Sequence, residues 1–361
     1  MSQPITTLDS YRLLGRSGLR VSPLCLGTMT FGSDWGWGAD EATSEAIFRA
    51  YAEKGGNFID TANFYTNGSS EKIVGRCIAG DRDRFVLATK YTLNTRCGDP
   101  NAGGNQRKNM VQSVEASLKR LGTDYIDLYW VHAWEYRTPV DEVMRALDDL
   151  VRQGKVLYIG ASDFPAWKVS EANTLAELRG WSRFIGLQVE YSLAMRDIER
   201  DLVPMATELG LGVTPWSPLA GGLLTGKYSR ADIERQQRAN EAGELDVFNN
   251  QQRVLLPNER QLSIADEVRA IAEEVDRSPA QVALNWTLTR PGVTSTILGA
   301  RRVEQLQDNL GALDFSLSDE QLTRLNEISQ IELGFPHDFI TGEFVNDIIT
   351  GGATIASRWV R

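Results

Sequence analysis

Short apolar runs recur along the chain with room for about one helix between successive runs. They are Leu24–Met29, Asn57–Ala62, Phe85–Tyr91, Ile126–His132, Val156–Ser162, Gly186–Ser192, Gly212–Leu219 and Ser295–Ala300. Near-continuous apolarity of this kind suits parallel strands covered on both faces. The segments between them carry helical spacing. Val114, Leu118 and Leu121 fall at steps of four and three, as one helix face requires, and Val140, Val143, Met144, Leu147 and Val151 form a second such face. Thr138-Pro139 predicts an N-cap followed by proline at the first helical position. Ser278–Gln281 and Ser318–Gln321 have capping-box spacing, which predicts that each glutamine reaches back to the cap amide. Strands alternating with helices in this number predict an α/β fold of the (β/α)8 TIM-barrel type rather than an open doubly wound sheet.

Several stretches break the rhythm. Tyr11 to Ser22 predicts an N-terminal β-hairpin turning at Gly15 and Gly18. Leu93–Arg107 is a polar, glycine-rich loop, and Ser229–Asn258 is a long, mostly polar insertion. Long loops after barrel strands are expected at the C-terminal face, around the active site. The tail after Glu332 has no clear period and either closes over the barrel mouth or packs beneath a helix. With no linker, low-complexity tract or internal repeat, residues 1–361 are expected to form a single domain.

Composition narrows the functional classes. The 38 basic and 48 acidic residues give a net charge of -10, which argues against a nucleic-acid footprint and an anionic membrane partner. Cys25, Cys77 and Cys97 are odd in number and widely spaced, so neither a disulfide framework nor a zinc ribbon is indicated. Reduced thiols in a cytoplasmic protein are expected. The start, MSQPITTLDSYRLLG, lacks the charged and apolar regions of a signal peptide, and no apolar run reaches the ~20 residues of a membrane span.

The chemistry gathers at strand ends. GNFIDTANFY, residues 56–65, begins as a buried strand and then delivers Asp60 and Tyr65. Two later runs end in the same manner, on Lys90 in FVLATK and on His132 in IDLYWVH. Taken singly, each side chain reads as packing, an ion pair or a satisfied imidazole. Three successive βα junctions delivering all four to one rim point to a proton-transfer unit. A free phenol titrates near 10, and a neighbouring ammonium favours the phenolate. Lys90, held by Asp60, is therefore expected to lower the Tyr65 pKa, while His132 orients a carbonyl oxygen or shares the proton. Trp35, Trp37, Tyr91 and Trp134 also follow strand ends and are expected to wall the pocket, which suits a hydrophobic or cyclic carbonyl substrate.

With these motifs in order, together with TKY (89–91), GASDF (160–164), LQVEYSL (187–193), TPWSPLAGGLLTGKY (214–228) and GARRVEQLQDNL (299–310), the chain resembles an aldo-keto reductase from about Tyr11 to Leu313. The resemblance implies a barrel that uses NADPH to reduce aldehydes and ketones, with Tyr65 as proton donor and Asp60, Lys90 and His132 as its partners. It assigns Ser162, Asp163 and Gln188 to the nicotinamide carboxamide and Trp216 to stacking on the ring. Ser217, Leu219 and Gly221 match the pyrophosphate segment, and Gly299, Arg301, Gln305, Asp308 and Asn309 the adenosine end. Thr28, Met29 and Lys227 complete the implied cofactor set. Arg301 suits a 2′-phosphate, which favours NADP(H) over NAD. The family usually has asparagine where Asp163 stands, glutamate where Asp308 stands and, in some branches, arginine at the position of Gln305. Channel-associated β subunits of the superfamily keep the same four residues, so a cofactor-binding regulatory subunit with little turnover is the alternative function. Oxidation of an alcohol with NADP+ differs only in direction. Oligomeric state, monomer or homo-oligomer, is left open.

Two other motifs carry less. GGLLTGK, residues 221–227, begins like a phosphate-binding loop, but Tyr228 stands where the magnesium-binding hydroxyl belongs. No metal is expected, because His132 and His337 are the only histidines and lie far apart in the chain.

Overall fold

The computed structural model describes residues 7–227, 230 and 257–355. Of the Ser229–Asn258 insertion only Arg230, Pro257 and Asn258 fall within it, and Tyr228 lies outside the described residues. A two-stranded antiparallel hairpin comes first, β1 (Arg12–Leu13) and β2 (Arg20–Val21). Seven of the eight apolar runs contain a strand and the run Gly186–Ser192 overlaps one that starts two residues earlier: β3 (Leu24–Gly27), β4 (Phe58–Asp60), β5 (Val86–Tyr91), β6 (Ile126–Val131), β7 (Val156–Ser162), β8 (Phe184–Glu190), β9 (Gly212–Trp216) and β10 (Thr296–Gly299). They pair in the order β10-β3-β4-β5-β6-β7-β8-β9, and every pairing is parallel. The remaining seam is drawn together by a parallel bridge, in which the Val213 N–H reaches Gly292 O at 2.9 Å and the Thr294 N–H reaches Val213 O at 2.8 Å. The sheet is thus a nearly closed (β/α)8 barrel.

The helices are α1 (Glu41–Glu53), α2 (Ser69–Ile78), α3 (Arg107–Leu121), α4 (Val140–Arg152), α5 (Ala166–Arg179), α6 (Leu202–Leu209), α7 (Glu259–Glu274), α8 (Pro279–Leu288), α9 (Val303–Leu310), α10 (Asp319–Ile328), α11 (His337–Ile340) and α12 (Glu343–Thr350). The predicted faces of α3 and α4 pack inward: Val114, Leu118, Leu121, Val143, Met144 and Leu147 are buried in the layer between strands and helices. Caps explain where the elements begin. Ser318 and Gln321 form a complete capping box at α10. At α8, Ser278 caps as predicted, but the Gln281 side chain donates to the Asp308 carbonyl and carboxylate at 2.8 and 3.0 Å instead of reaching back. A helix-to-helix partner outcompetes the local one. Helix α4 starts at Val140 with Pro139 at its N-cap, one position later than the sequence predicts, because the Thr138 hydroxyl and amide are engaged by Glu135.

Side-chain alternation divides each strand between two cores. On β5, Leu87 and Tyr91 face the helices, while Val86 and Ala88 face the barrel interior. The interior cluster also holds Cys25, Phe58, Leu128 and Trp130, and it is closed at the N-terminal end by Leu14 and Val21 of the hairpin. Gly15 makes this plug fit. Its φ is +57°, and a Cβ there would lie 2.3 Å from the Ile185 carbonyl, where β8 begins. Beyond Glu332 the chain forms α11 and α12, with Phe335, Phe339, Phe344, Ile348 and Ile349 exposed. His337 anchors this tail to Asp201 at 3.1 Å. Among the described residues no helix is long and apolar enough to cross a membrane.

Leu14→Ala tests the plug. Emptying this fully buried position should cost about 2–5 kcal/mol in urea unfolding, with no residue at the barrel mouth altered.

Candidate active site

Strand parity puts the chemistry at the C-terminal mouth. Phe58 faces inward, so Asp60 at the end of β4 does too; Val86 and Ala88 face inward, so Lys90 follows. Tyr65 lies on the turn after β4, Tyr65–Gly68, in which Thr66 and Asn67 have φ of 43° and 54°. A β-branched residue in the left-handed region is strained. The Thr66 hydroxyl holds it there, donating to Phe31 O at 2.8 Å and accepting from the Ser70 N–H at 2.9 Å. The strained turn therefore fixes where the tyrosine points.

Asp60, Tyr65, Lys90 and His132 converge. The Lys90 ammonium is fully buried; it donates to the Asp60 carboxylate, to Thr61 O at 2.8 Å and to the Tyr65 hydroxyl at 3.2 Å. The other Asp60 oxygen accepts from Gln188 Nε2 at 3.0 Å. The His132 ring stands edge-on to Tyr65, centroids 5.9 Å apart, and its Nδ1 is buried without a partner among the described residues. Burial works against the Lys90 ammonium, yet Asp60 and Tyr65 outweigh it and hold its pKa above the usual value. Burial, followed by the Lys90 charge, pushes His132 well below the ordinary imidazole range. The Tyr65 phenol moves opposite to the direction predicted from Lys90 alone. Burial raises it more than the Lys90 ammonium lowers it, and Asp60 and Asp163 act in the same direction as burial. Tyr65 thus keeps its proton at neutral pH.

The other half of the mouth is built by β7 to β10. Ser162 and Gln188 are almost fully buried at the inward ends of β7 and β8. Asp163 follows with φ of 51°, a conformation aspartate tolerates, and its carboxylate accepts from Trp216 Nε1 at 3.0 Å. Ser217, Ala220, Gly221 and Gly222 all have positive φ, and a Cβ on Gly221 would meet nothing within 4 Å. Such a run turns backbone N–H groups toward one side, as anion-binding nests do. Leu219 packs its side chain on the core. A Cβ on Gly222 would lie 2.8 Å from the Lys227 ammonium, which places that lysine beside the same loop. Gly299, the last residue of β10, and Arg301 just beyond it are exposed, and Gln305 accepts from the Arg301 N–H at 3.0 Å. Asn309 is buried nearby in α9, whereas Asp308 is engaged with Ser278 and Gln281 of α8. Met29 is partly exposed; the Thr28 hydroxyl points into the layer behind β4, donating to Asp60 O at 3.0 Å beside Ser70.

The four aromatic residues expected in the pocket wall separate. Trp35 and Trp37 cluster with Phe64 beside Tyr65, with Trp35 6.5 Å from the tyrosine ring. Tyr91 is removed from the wall: strand parity turns it outward, fully buried and stacked on Tyr129 at 5.3 Å. Trp134 is buried against Phe164. Three further residues enter. Thr61 supplies a carbonyl to Lys90. Glu71, fully buried, joins Arg120 at 2.6 Å to Thr89, also at 2.6 Å, and so braces β5 from behind Lys90. Glu190 shares the inward face of β8 with Gln188, and the spacing of two in LQVEYSL is the signal that finds it.

Mouth and strand order together define a (β/α)8 barrel with its candidate active site at the C-terminal end. The profile of the Aldo/keto reductase family matches residues 23–330, and the chain belongs to that family. It is 38% identical over 349 residues to norsolorinic acid reductase of Aspergillus flavus, covering 94% of this chain and 86% of the relative. It is 39% identical over 352 residues to aryl-alcohol dehydrogenase [NADP(+)] of Phanerodontia chrysosporium, covering 93% and 90%. Norsolorinic acid reductase B of Dothistroma septosporum is 36% identical over 347 residues, with 93% and 86% covered. These relatives are named as enzymes, and nothing among them supports the regulatory-subunit alternative.

The depressed His132 pKa has a signed consequence for stability. Below about pH 6.5 the unfolded chain binds a proton that the folded imidazole refuses, so this contribution to stability falls as the pH is lowered through that window. Urea unfolding at pH 7.5 and 5.5 should show a loss that His132→Gln reduces.

Proposed function

We propose that the protein reduces an aldehyde or ketone to its alcohol, reversibly, with NADPH as hydride source and Tyr65 as proton donor. The observation that carries this is the Lys90 ammonium, buried between Asp60 and the Tyr65 hydroxyl with 3.2 Å to the latter. Tyr65 is protonated at neutral pH and gives that proton to a carbonyl oxygen that becomes alkoxide-like. Lys90 stabilises the phenolate left behind, and Asp60 keeps Lys90 aimed. Neutral His132, beside the phenol, offers an N–H to the same oxygen.

The donor set fits a nicotinamide dinucleotide. Ser162 is almost fully buried and its hydroxyl has no hydrogen-bond partner among the described residues, and the Trp216 ring is partly open at the mouth. The left-handed turn at 217–222 suits a pyrophosphate, and the exposed Arg301 guanidinium suits a 2′-phosphate. When bound, NADPH supplies the hydride. Trp35, Trp37 and Phe64 beside Tyr65 favour a hydrophobic or cyclic carbonyl, in keeping with a relative named for aryl alcohols. The three cysteines are free, which suits a cytoplasmic setting.

Tyr65→Phe should lower kcat by about a hundred- to ten-thousandfold on a carbonyl panel followed by NADPH absorbance, while NADPH binding persists. Turnover at the wild-type level would rule Tyr65 out as the acid. Arg301→Ala should weaken NADPH binding and leave NADH binding unchanged; a retained preference for NADPH would contradict its 2′-phosphate role.

A further inference from the structure

We propose that Asp163 and Glu190 set the redox poise of the bound nicotinamide, holding the oxidised, cationic ring more tightly than the reduced, neutral one. The inference rests on the cofactor site proposed above and adds a function to two residues of this chain.

The two carboxylates flank Trp216. Asp163 accepts from its indole N–H at 3.0 Å, and Glu190 is its register partner on the adjoining strand. Neither carboxylate has an ion pair among the described residues, although the barrel mouth crowds both. The ammonium whose charge reaches Asp163, that of Lys90, is already occupied by Asp60, Thr61 and Tyr65. Two like charges in a partly enclosed mouth, without a counter-charge, are costly to keep ionised. Both carboxyls are indeed pushed above their usual range, Asp163 by burial and Glu190 by burial and then by Asp163. A planar cation lying on Trp216 would supply the missing charge, and the oxidised nicotinamide ring is such a cation. Ser162 points to a ligand at this spot independently: it is 1% exposed, faces inward on β7 and has no side-chain hydrogen-bond partner among the described residues.

The charge of Asp163 can be tested apart from its geometry. Asparagine tolerates the left-handed backbone and still offers an oxygen to the indole N–H, so Asp163→Asn removes the charge and little else.

The experiment is a titration of the full chain with NADP+ and with NADPH at pH 8, read by quenching of tryptophan fluorescence, for the wild type, Asp163→Asn and Glu190→Gln. Loss of one carboxylate should weaken NADP+ about three- to tenfold relative to NADPH. A tenfold change corresponds to about 30 mV in the potential of the bound two-electron couple. Glu190→Gln should move the ratio the same way, and it carries the test if Asp163→Asn does not fold. A ratio unmoved in both variants overturns the proposal, and so does equal weakening of both cofactors, the result expected if Asp163 only positions Trp216. A wild type that binds neither cofactor overturns the cofactor site itself, and this proposal with it.

Discussion

A fully buried ammonium is the constraint around which the barrel mouth is arranged. Lys90 keeps its charge out of water only because Asp60, Thr61 and Tyr65 take up its donors. Those partners come from β4 and the turn after it, so the β4–β5 register has to be right to within one residue. A slip of one position would send Lys90 into the apolar layer behind the sheet. Much of the surrounding structure serves that registration. The hairpin plugs the far end of the cylinder, Glu71 and Arg120 brace β5 from outside, and hydrogen bonds on Thr66 hold the tyrosine turn.

The mouth divides into two electrostatic halves. Strands β4 to β6 carry the proton-handling groups around one cation, with the imidazole kept neutral beside it. Strands β7 to β9 carry two carboxylates without an ion-pair partner among the described residues, next to an indole. Gln188 links the halves, donating across the barrel to the oxygen of Asp60 that Lys90 does not use. Carboxylates of both halves, Asp60 and Asp163, push the Tyr65 phenol in the same upward direction.

Backbone strain is gathered at the same end. Thr66, Asp163, Ser217 and Ala220 all have positive φ, and each follows the C-terminal end of a barrel strand. Left-handed residues reverse the chain sharply and aim side chains and amides back over the barrel axis. The rest of the fold sustains this cost with two well-packed cores, one inside the cylinder and one between strands and helices.

The eight strands were legible in the sequence because a parallel strand buried on both faces has to be apolar throughout, and that signal is local. Asp60, Lys90 and His132 stood out because charged or titratable groups end such runs, and Tyr65 because it follows one closely. Parity could also have removed Tyr91 from the pocket wall and added Glu190 to it, since each lies a fixed step from an inward neighbour. Other features had no local signal. Gln281 chooses Asp308 over its own cap amide because folding brings α9 within reach. The direction of the Tyr65 shift depends on how much water the assembled mouth excludes, and a nearby lysine in the sequence says nothing of that. Periodicity along the chain determined which residues face inward; only the closed barrel decided which of them meet, because distance and burial belong to contacts between strands far apart in the sequence.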